Sequence, residues 1–270
     1  MFSRILTGVV LAPSVFALVA LGPLWGTRLF FTAAAAVGAH ELMRMMGSGD
    51  ASEDRYDRIV AILVTTLFVG AASILGPVWV GAILPVAVMG ILLSGLGKPG
   101  DISRVGRRLS SSLGTLAYVG GLFLSMVLLT HAPGEWSRWG ILVTFFAVWP
   151  GDTLAFFSGK FIGGKKLYPI VSPKKTWAGS VGGLVGSIGG LLLLQAVWVP
   201  ELTTQDCIVL GTLCGAFEQA GDLCESLFKR SFGVKDSGSL LPGHGGILDR
   251  VDGLIFAGPI VFAWLQITHG

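Results

Sequence analysis

Apolar stretches of about 18 or more residues recur along the whole chain, each long enough to cross the hydrocarbon core of a bilayer as a helix. They fall near residues 5–22, 27–46, 59–75, 78–97, 111–130, 139–158, 177–199, 203–221 and 251–268. No other feature restricts the fold so tightly, because backbone polar groups in lipid have no water to bond and must be satisfied within the segment itself. The expected fold class is therefore all-α, a polytopic integral membrane protein with about nine transmembrane helices. Composition agrees: 52% of the 270 residues are hydrophobic and 13% are charged, outside the range of an ordinary soluble domain. The first stretch is followed at once by a second, so it reads as a retained helix and not as a cleaved secretory signal.

Basic residues are retained on the cytoplasmic side of a membrane protein, and nine spans sort them well. Seventeen of the 19 Lys and Arg residues fall on one side, leaving only Arg28 and Arg138 on the other. This predicts a cytoplasmic amino terminus and an extracytoplasmic carboxyl terminus. Residues 1–135 read as a scaffold of transmembrane helices, and residues 136–270 as a catalytic half with cytoplasmic loops at 159–176 and 226–250. Cys207, Cys214 and Cys224 show no metal-ligand spacing and are assigned no chemistry. The net charge of +3 does not argue for nucleic acid, since topology and anionic phosphates at a membrane surface account for the basic residues.

Charged residues inside the apolar stretches stand out. Glu41 lies about five residues inside the cytoplasmic end of the second stretch, near enough for its carboxylate to snorkel to the interface, a reading favoured here over a direct role in the site. Asp152 sits within the sixth, in VWPGDTLAFFSG, where a charge costs roughly 2.5 to 3.5 kcal/mol at the bilayer centre and marks a functional position. Pro150 and Gly151 just before it can interrupt helical bonding and open the backbone to a polar cavity. The loop that follows, GKFIGGKKLYPIVSPKKTWAG, combines lysines with glycines that let backbone amides approach an oxyanion, which suits a phosphate ligand. Its GxxxxGK run from Gly159 to Lys165 is not a P-loop, because Lys166 replaces the required Ser or Thr and the run follows a membrane helix, not a strand. The glycines of the seventh stretch, such as Gly179 with Gly183 and Gly182 with Gly186, have small-xxx-small spacing and are read as helix packing.

The most informative segment is GDLCESLFKRSFGVKDSGSLLPGHGGILDRVDG. If the eighth helix continues into it, Asp222, Glu225, Ser226 and Lys229 share one face at i, i+3, i+4 and i+7. Asp249 and Asp252 share a face at the start of the ninth. Carboxylates gathered at one membrane face, with Asp152, require a positive partner, and hard oxygen ligands favour Mg²⁺. The PGHGG turn offers bare amides and the His244 imidazole for phosphates.

This segment resembles the phosphatidate cytidylyltransferase family, whose signature is matched by Ser226, Lys229, Arg230, Lys235, Asp236, Gly238, Pro242, Gly243, His244, Gly245, Gly246, Asp249, Arg250 and Asp252. The resemblance extends to DTLAFFSGKFIGGKKLYPIVSPKKTWAGSVGG and so covers roughly residues 150–255; Leu154 and Ala178 depart from the family's usual Gly and its Glu or Gln. It implies attack by a phosphatidic acid oxygen on the α-phosphorus of CTP, giving CDP-diacylglycerol and pyrophosphate. It further implies a requirement for Mg²⁺ held by Asp222 and Asp249, and a second cation such as K⁺. The implied catalytic group is Asp152, Asp222, Lys229, Arg230, Lys235, Asp236, His244, Asp249 and Asp252. The implied phosphate-binding group is Ser172, Lys174, Lys175, Thr176, Ser226, Gly243, Gly245, Gly246 and Arg250. Phosphatidic acid already presents an anionic nucleophile, so positioning is expected to outweigh base catalysis by His244. The resemblance also implies a homodimer in a bacterial inner membrane with the active site facing the cytoplasm. The CDP-alcohol phosphotransferase pattern, Asp-Gly-x-x-Ala-Arg, fails here because LIFAGP follows Asp252-Gly253; a secondary transporter is disfavoured by the lack of an internal repeat.

Overall fold

The computed structural model describes residues 2–47, 51–97, 101–240 and 245–269. Helices dominate it: α1 (Phe2–Leu21), α2 (Leu24–Met45), α3 (Ala51–Leu75), α4 (Val80–Gly97), α5 (Ile102–Thr115), α6 (Gly121–Leu129), α7 (Trp136–Phe161), α8 (Trp177–Val197), α9 (Thr204–Ser231) and α10 (Leu248–Thr268). A single wide turn of π-helix, Leu116–Gly120, joins α5 to α6, so the two form one stretch from Ile102 to Leu129. One helical stretch thus stands where each of the nine apolar runs was expected. Seven of them, among the described residues, are long and apolar enough to cross a membrane. The first contributes a shorter apolar run, Ala12–Leu21, and α2 is diluted by Arg28, His40, Glu41 and Arg44.

Local signals explain several boundaries. Asp101 caps α5 by accepting from the Ser103 amide at 3.0 Å, and Thr176 caps α8 through the Gly179 amide at 3.1 Å. Thr203 and Asp206 form a reciprocal capping box at the start of α9. Prolines 13, 85, 150 and 259 lie inside helices, as apolar helices with packed neighbours tolerate. The 159–176 loop is not wholly irregular: β1 (Lys166–Tyr168) pairs antiparallel with β2 (Ser172–Thr176), Lys166 opposite Thr176 and Tyr168 opposite Ser172. Large apolar side chains such as Leu63, Leu67, Leu93, Val181 and Val185 are exposed, an arrangement suited to lipid.

The chain divides into two compact units, Met1–His131 with Asp236–Asp249, and Ala132–Lys235 with Arg250–Gly270. In the first, α2 lays a narrow face of Phe31, Ala34, Ala35, Ala39 and Leu42 into the core, with Ala61, Phe68, Val69 and Ala72 of α3 also buried. Polar ties reinforce this packing. Arg108 forms a buried two-bond pair with Asp57, Nε to Oδ2 at 2.6 Å and Nη2 to Oδ1 at 2.9 Å. Arg28 donates to the Thr130 hydroxyl at 2.8 Å and carbonyl at 3.2 Å.

In the second unit α8 packs against α7 along a glycine seam. A β-carbon on Gly182 would collide with the Ser158 side chain, one on Gly186 would stand 2.5 Å from the Pro150 carbonyl oxygen, and one on Gly190 would collide with the Phe146 carbonyl. These three glycines recur every four residues, so they occupy one stripe of α8 and let its backbone reach that of α7. On α9, Gly211 approaches the Ile188 backbone and Gly215 the Ser187 side chain in the same way.

Candidate functional site

The α7–α8–α9 packing of the second unit leaves a cavity of about 390 Å³, with Asp152, Lys160, Lys174, Lys175, Thr176, Glu218, Gln219 and Asp222 in its lining. Asp152 comes from α7, one residue after the Gly186 contact that fixes its backbone. Lys160 comes from the end of α7, and Lys174 and Lys175 arrive on β2, whose antiparallel pairing with β1 folds the lysine-rich loop back on itself. Lys175 Nζ lies 2.6 Å from Asp222 Oδ2, with both side chains partly exposed. Thr176 lines the same wall while capping α8, so the loop's end and the helix's start are one structure.

The helix α9 continues to Ser231, as the shared-face reading of Asp222, Glu225, Ser226 and Lys229 requires. Ser226 donates to Asp222 Oδ1 at 3.3 Å, and Lys229 pairs with the buried Glu225 at 2.8 Å. Glu218, one turn before Asp222, is 2% exposed, and its Oε2 has no hydrogen-bond partner among the described residues. Asp152 and Asp222 are its acidic neighbours and Lys175 its basic one. Asp252 of α10 has Asp222, Glu225 and Asp152 as its charged neighbours, and Arg250 acts on Asp152. Asp152, Glu218, Asp222, Glu225 and Asp252 are thus electrostatic neighbours in this unit, with Lys175, Lys229 and Arg250 beside them; Asp152 and Arg250 are exposed.

Sequence reasoning missed Glu218 and Gln219. Glu218 carried a usable signal, an acid inside an apolar helix four residues before another acid. Gln219 gave none; its amide donates to the Ser180 carbonyl at 3.1 Å and fixes α9 to α8. Among the remaining predicted residues of this unit, Ser172 lies on β2 outside the cavity lining, and Arg230 and Lys235 are exposed.

The first unit holds the other part of the signature. Asp249 Oδ2 accepts from the Ser237 amide at 2.8 Å, the Gly246 amide at 2.8 Å and lies 2.9 Å from the Ser237 hydroxyl. The Gly246 amide is therefore directed at a carboxylate of the chain itself. Gly245 has φ +80°, and a β-carbon there would stand 2.5 Å from Asp249 Oδ2; both facts call for glycine. Asp236 is exposed beside this turn. Gly243 and His244 lie outside the described residues.

Glu41 does not snorkel. It is 4% exposed, and its two oxygens accept from the Ile247 amide at 2.9 Å and the Leu248 amide at 3.0 Å, with the Ser237 hydroxyl 3.0 Å away. Its neighbours are backbone donors at the start of α10, which offer the carboxylate hydrogen bonds that the helix itself cannot use.

Oxygen donors of the kind a hard divalent cation takes line the cavity in Asp152, Glu218 and Asp222, and neighbouring carboxyls repel unless a proton or cation offsets one of them. Among the described residues no three His, Cys, Asp or Glu side chains are gathered to hold a metal ion. The donor chemistry fits Mg²⁺, while the ligand shell is not assembled. Asp222 and Asp249, the expected ligand pair, belong to different units.

The sequence profile of a group described as the cytidylyltransferase family matches residues 2–268. The phosphatidate cytidylyltransferase of Brucella abortus biovar 1 (strain 9-941) is 48% identical over 123 residues, 45% of this chain and 45% of that protein. Proteins of the same name are 41% identical over 147 residues in Staphylococcus saprophyticus (54% of this chain, 55% of the relative) and 46% identical over 123 residues in Staphylococcus aureus strain COL (45% and 46%). The chain spans about half the length of the curated relatives it matches.

Proposed function

The chain belongs to the cytidylyltransferase family, and from that membership we propose that it transfers CMP from CTP to phosphatidic acid, yielding CDP-diacylglycerol and pyrophosphate. The observation that carries this reading is the cavity of the second unit, because cations suited to phosphates and carboxylates suited to a divalent ion line one space.

In the proposed reaction a phosphate oxygen of the lipid attacks the α-phosphorus of CTP in line with the departing pyrophosphate. The lipid phosphate is already ionised at neutral pH, so no side chain has to remove a proton from it. Lys174 and Lys175 neutralise phosphate charge, with Lys229, Arg230, Lys235 and Arg250 in the same role. On binding, a triphosphate competes with Asp222 for the Lys175 ammonium, which frees the Asp222 carboxylate. Mg²⁺, when bound, would offset the negative charge of the reacting phosphates. Asp222 would hold it, with Asp152 and Glu218 as further oxygen donors at the cavity; Asp249, in the first unit, is proposed as a ligand on the family resemblance alone. Asp252 adds to the acidic group of the second unit, and Ser226 orients Asp222 through its hydroxyl; Asp236, in the first unit, is assigned a catalytic role on the family resemblance alone.

The proposed placement is a bacterial inner membrane with nine spans, a cytoplasmic amino terminus and the cavity facing the cytoplasm. What supports it is the 17-to-2 division of basic residues and the nine helical stretches. The test is product formation by purified, detergent-solubilised protein given CTP, phosphatidic acid and Mg²⁺. CDP-lipid and pyrophosphate are expected only when both substrates are present, and Asp222→Asn is expected to abolish them. A well-folded protein that makes no CDP-lipid would overturn the reading.

A further inference from the structure

Glu41 is separated from its three partners by 196, 206 and 207 residues of chain, yet all four belong to the first unit. Its carboxylate is acceptor-only at both oxygens, and each oxygen meets a backbone N–H of the turn that opens α10. Two glycines stand close against it, beside a cavity of about 380 Å³ that Glu41 also lines. A β-carbon on Gly238 would stand 2.6 Å from Glu41 Oε1, and one on Gly246 would collide with both Glu41 Oε2 and the Ser237 hydroxyl. The glycines of the signature segment are thus small on the side that faces Glu41.

Ser237 links this carboxylate to a second one. Its hydroxyl lies 3.0 Å from Glu41 Oε2 and 2.9 Å from Asp249 Oδ2, and one hydroxyl proton serves one of them at a time. Its amide also bonds Asp249. Moving Glu41 therefore moves the donors that orient Asp249, without Glu41 touching a substrate.

We propose that Glu41 is a positioning residue for the reaction: through Ser237 and the Ile247 and Leu248 amides it holds the start of α10 so that the Asp249 carboxylate keeps one orientation. This rests on the proposed activity for its catalytic consequence, but the structural hold is independent of it. Glu41→Gln keeps the size of the side chain while placing an amide NH₂ against a backbone N–H, donor against donor. Loss of orientation of about 1 Å in a reacting arrangement costs about 10²-fold.

The experiment compares wild type with Glu41→Gln and Ser237→Ala in detergent micelles, measuring kcat and KM for CTP and amide hydrogen exchange at Ser237, Ile247 and Leu248. In Glu41→Gln, kcat is expected to fall about 10- to 100-fold with KM for CTP within about twofold. Exchange should accelerate at those amides while α3 and α6 keep wild-type protection. Ser237→Ala, which keeps the backbone bonds, should show a smaller loss of kcat. Wild-type kcat and wild-type exchange in Glu41→Gln would overturn the proposal, as would faster exchange spread evenly over α2, α3 and α6, which marks general destabilisation. Should the wild type make no CDP-lipid, the activity reading fails, and unchanged or accelerated exchange at the three amides still decides whether Glu41 holds the turn.

Discussion

Gly186→Ala puts the dependence of the cavity on the α7–α8 seam to a sharp test. The added β-carbon would stand 2.5 Å from the Pro150 carbonyl oxygen and 3.0 Å from Gly151 Cα. Ordinary contact begins at 3.4 Å, so the helices must part locally by about 0.9 Å, the difference 3.4 − 2.5. Pro150 and Gly151 directly precede Asp152, and the displacement is delivered to the carboxylate in the cavity wall. A misplacement near 1 Å costs about 10²-fold in rate, and overpacking costs about 1–3 kcal/mol of stability. Gly189 of the same helix is the control, because nothing lies within 4 Å of its β-carbon position. Alanine there keeps the packing and gains up to about 1 kcal/mol of helix propensity. The assay is CDP-lipid formation at saturating CTP beside thermal unfolding in micelles. Gly189→Ala should match the wild-type rate with an equal or higher Tm, while Gly186→Ala should be about 100-fold slower with a lower Tm. Indistinguishable behaviour of the two variants would refute the idea that backbone contact along this stripe sets the position of Asp152.

Other perturbations read the remaining contacts. The Lys175–Asp222 pair is partly exposed, at 24% and 34%, so a double-mutant cycle with Lys175→Met and Asp222→Asn should give a stability coupling of about 1 kcal/mol; strict additivity would exclude the bond. Arg108→Leu strands a buried Asp57 and should cost about 3–5 kcal/mol in unfolding measurements, whereas the double variant with Asp57→Leu should recover most of that loss. Burial holds the His131 imidazole below its ordinary value of 6.5, against the raising effect of its bond to the Ser73 carbonyl and with the help of Arg28. The unfolded chain then takes up the proton first, so the contribution of His131 is complete above about pH 6.5 and declines as pH falls below it. Tm should drop between pH 7 and pH 5, less so in His131→Gln, and an equal drop in both proteins would contradict this.

Much of the architecture was legible before any coordinates. Apolar runs of bilayer length have one stable solution each, and a helix stands at every predicted run; α9 continues past its apolar part because Asp222, Glu225 and Lys229 keep the helical period. Asp152 was conspicuous because a charge in an apolar helix is costly. The short β1–β2 pairing was not foreseen, since three- and five-residue strands in a glycine-rich loop leave no periodicity to read. Glu41 was misread because its distance from the helix end suggested water within reach, while its actual partners lie about 200 residues away in sequence.

Composition and period alone determined the helical class, the number of helical stretches and the residue types available for phosphate and cation chemistry. These follow from local rules, the cost of unsatisfied backbone and of charge in an apolar medium, which act on each segment by itself. Which acids meet was decided only in three dimensions. Glu218 came to face Asp152 because glycines at 182, 186 and 190 let α8 lie against α7 and Gln219 ties α9 to α8. Glu41 came to hold the start of α10 because glycines at 238 and 246 leave room for its carboxylate. Such pairings depend on how closely backbones approach, a property of two helices together that neither helix's sequence carries by itself.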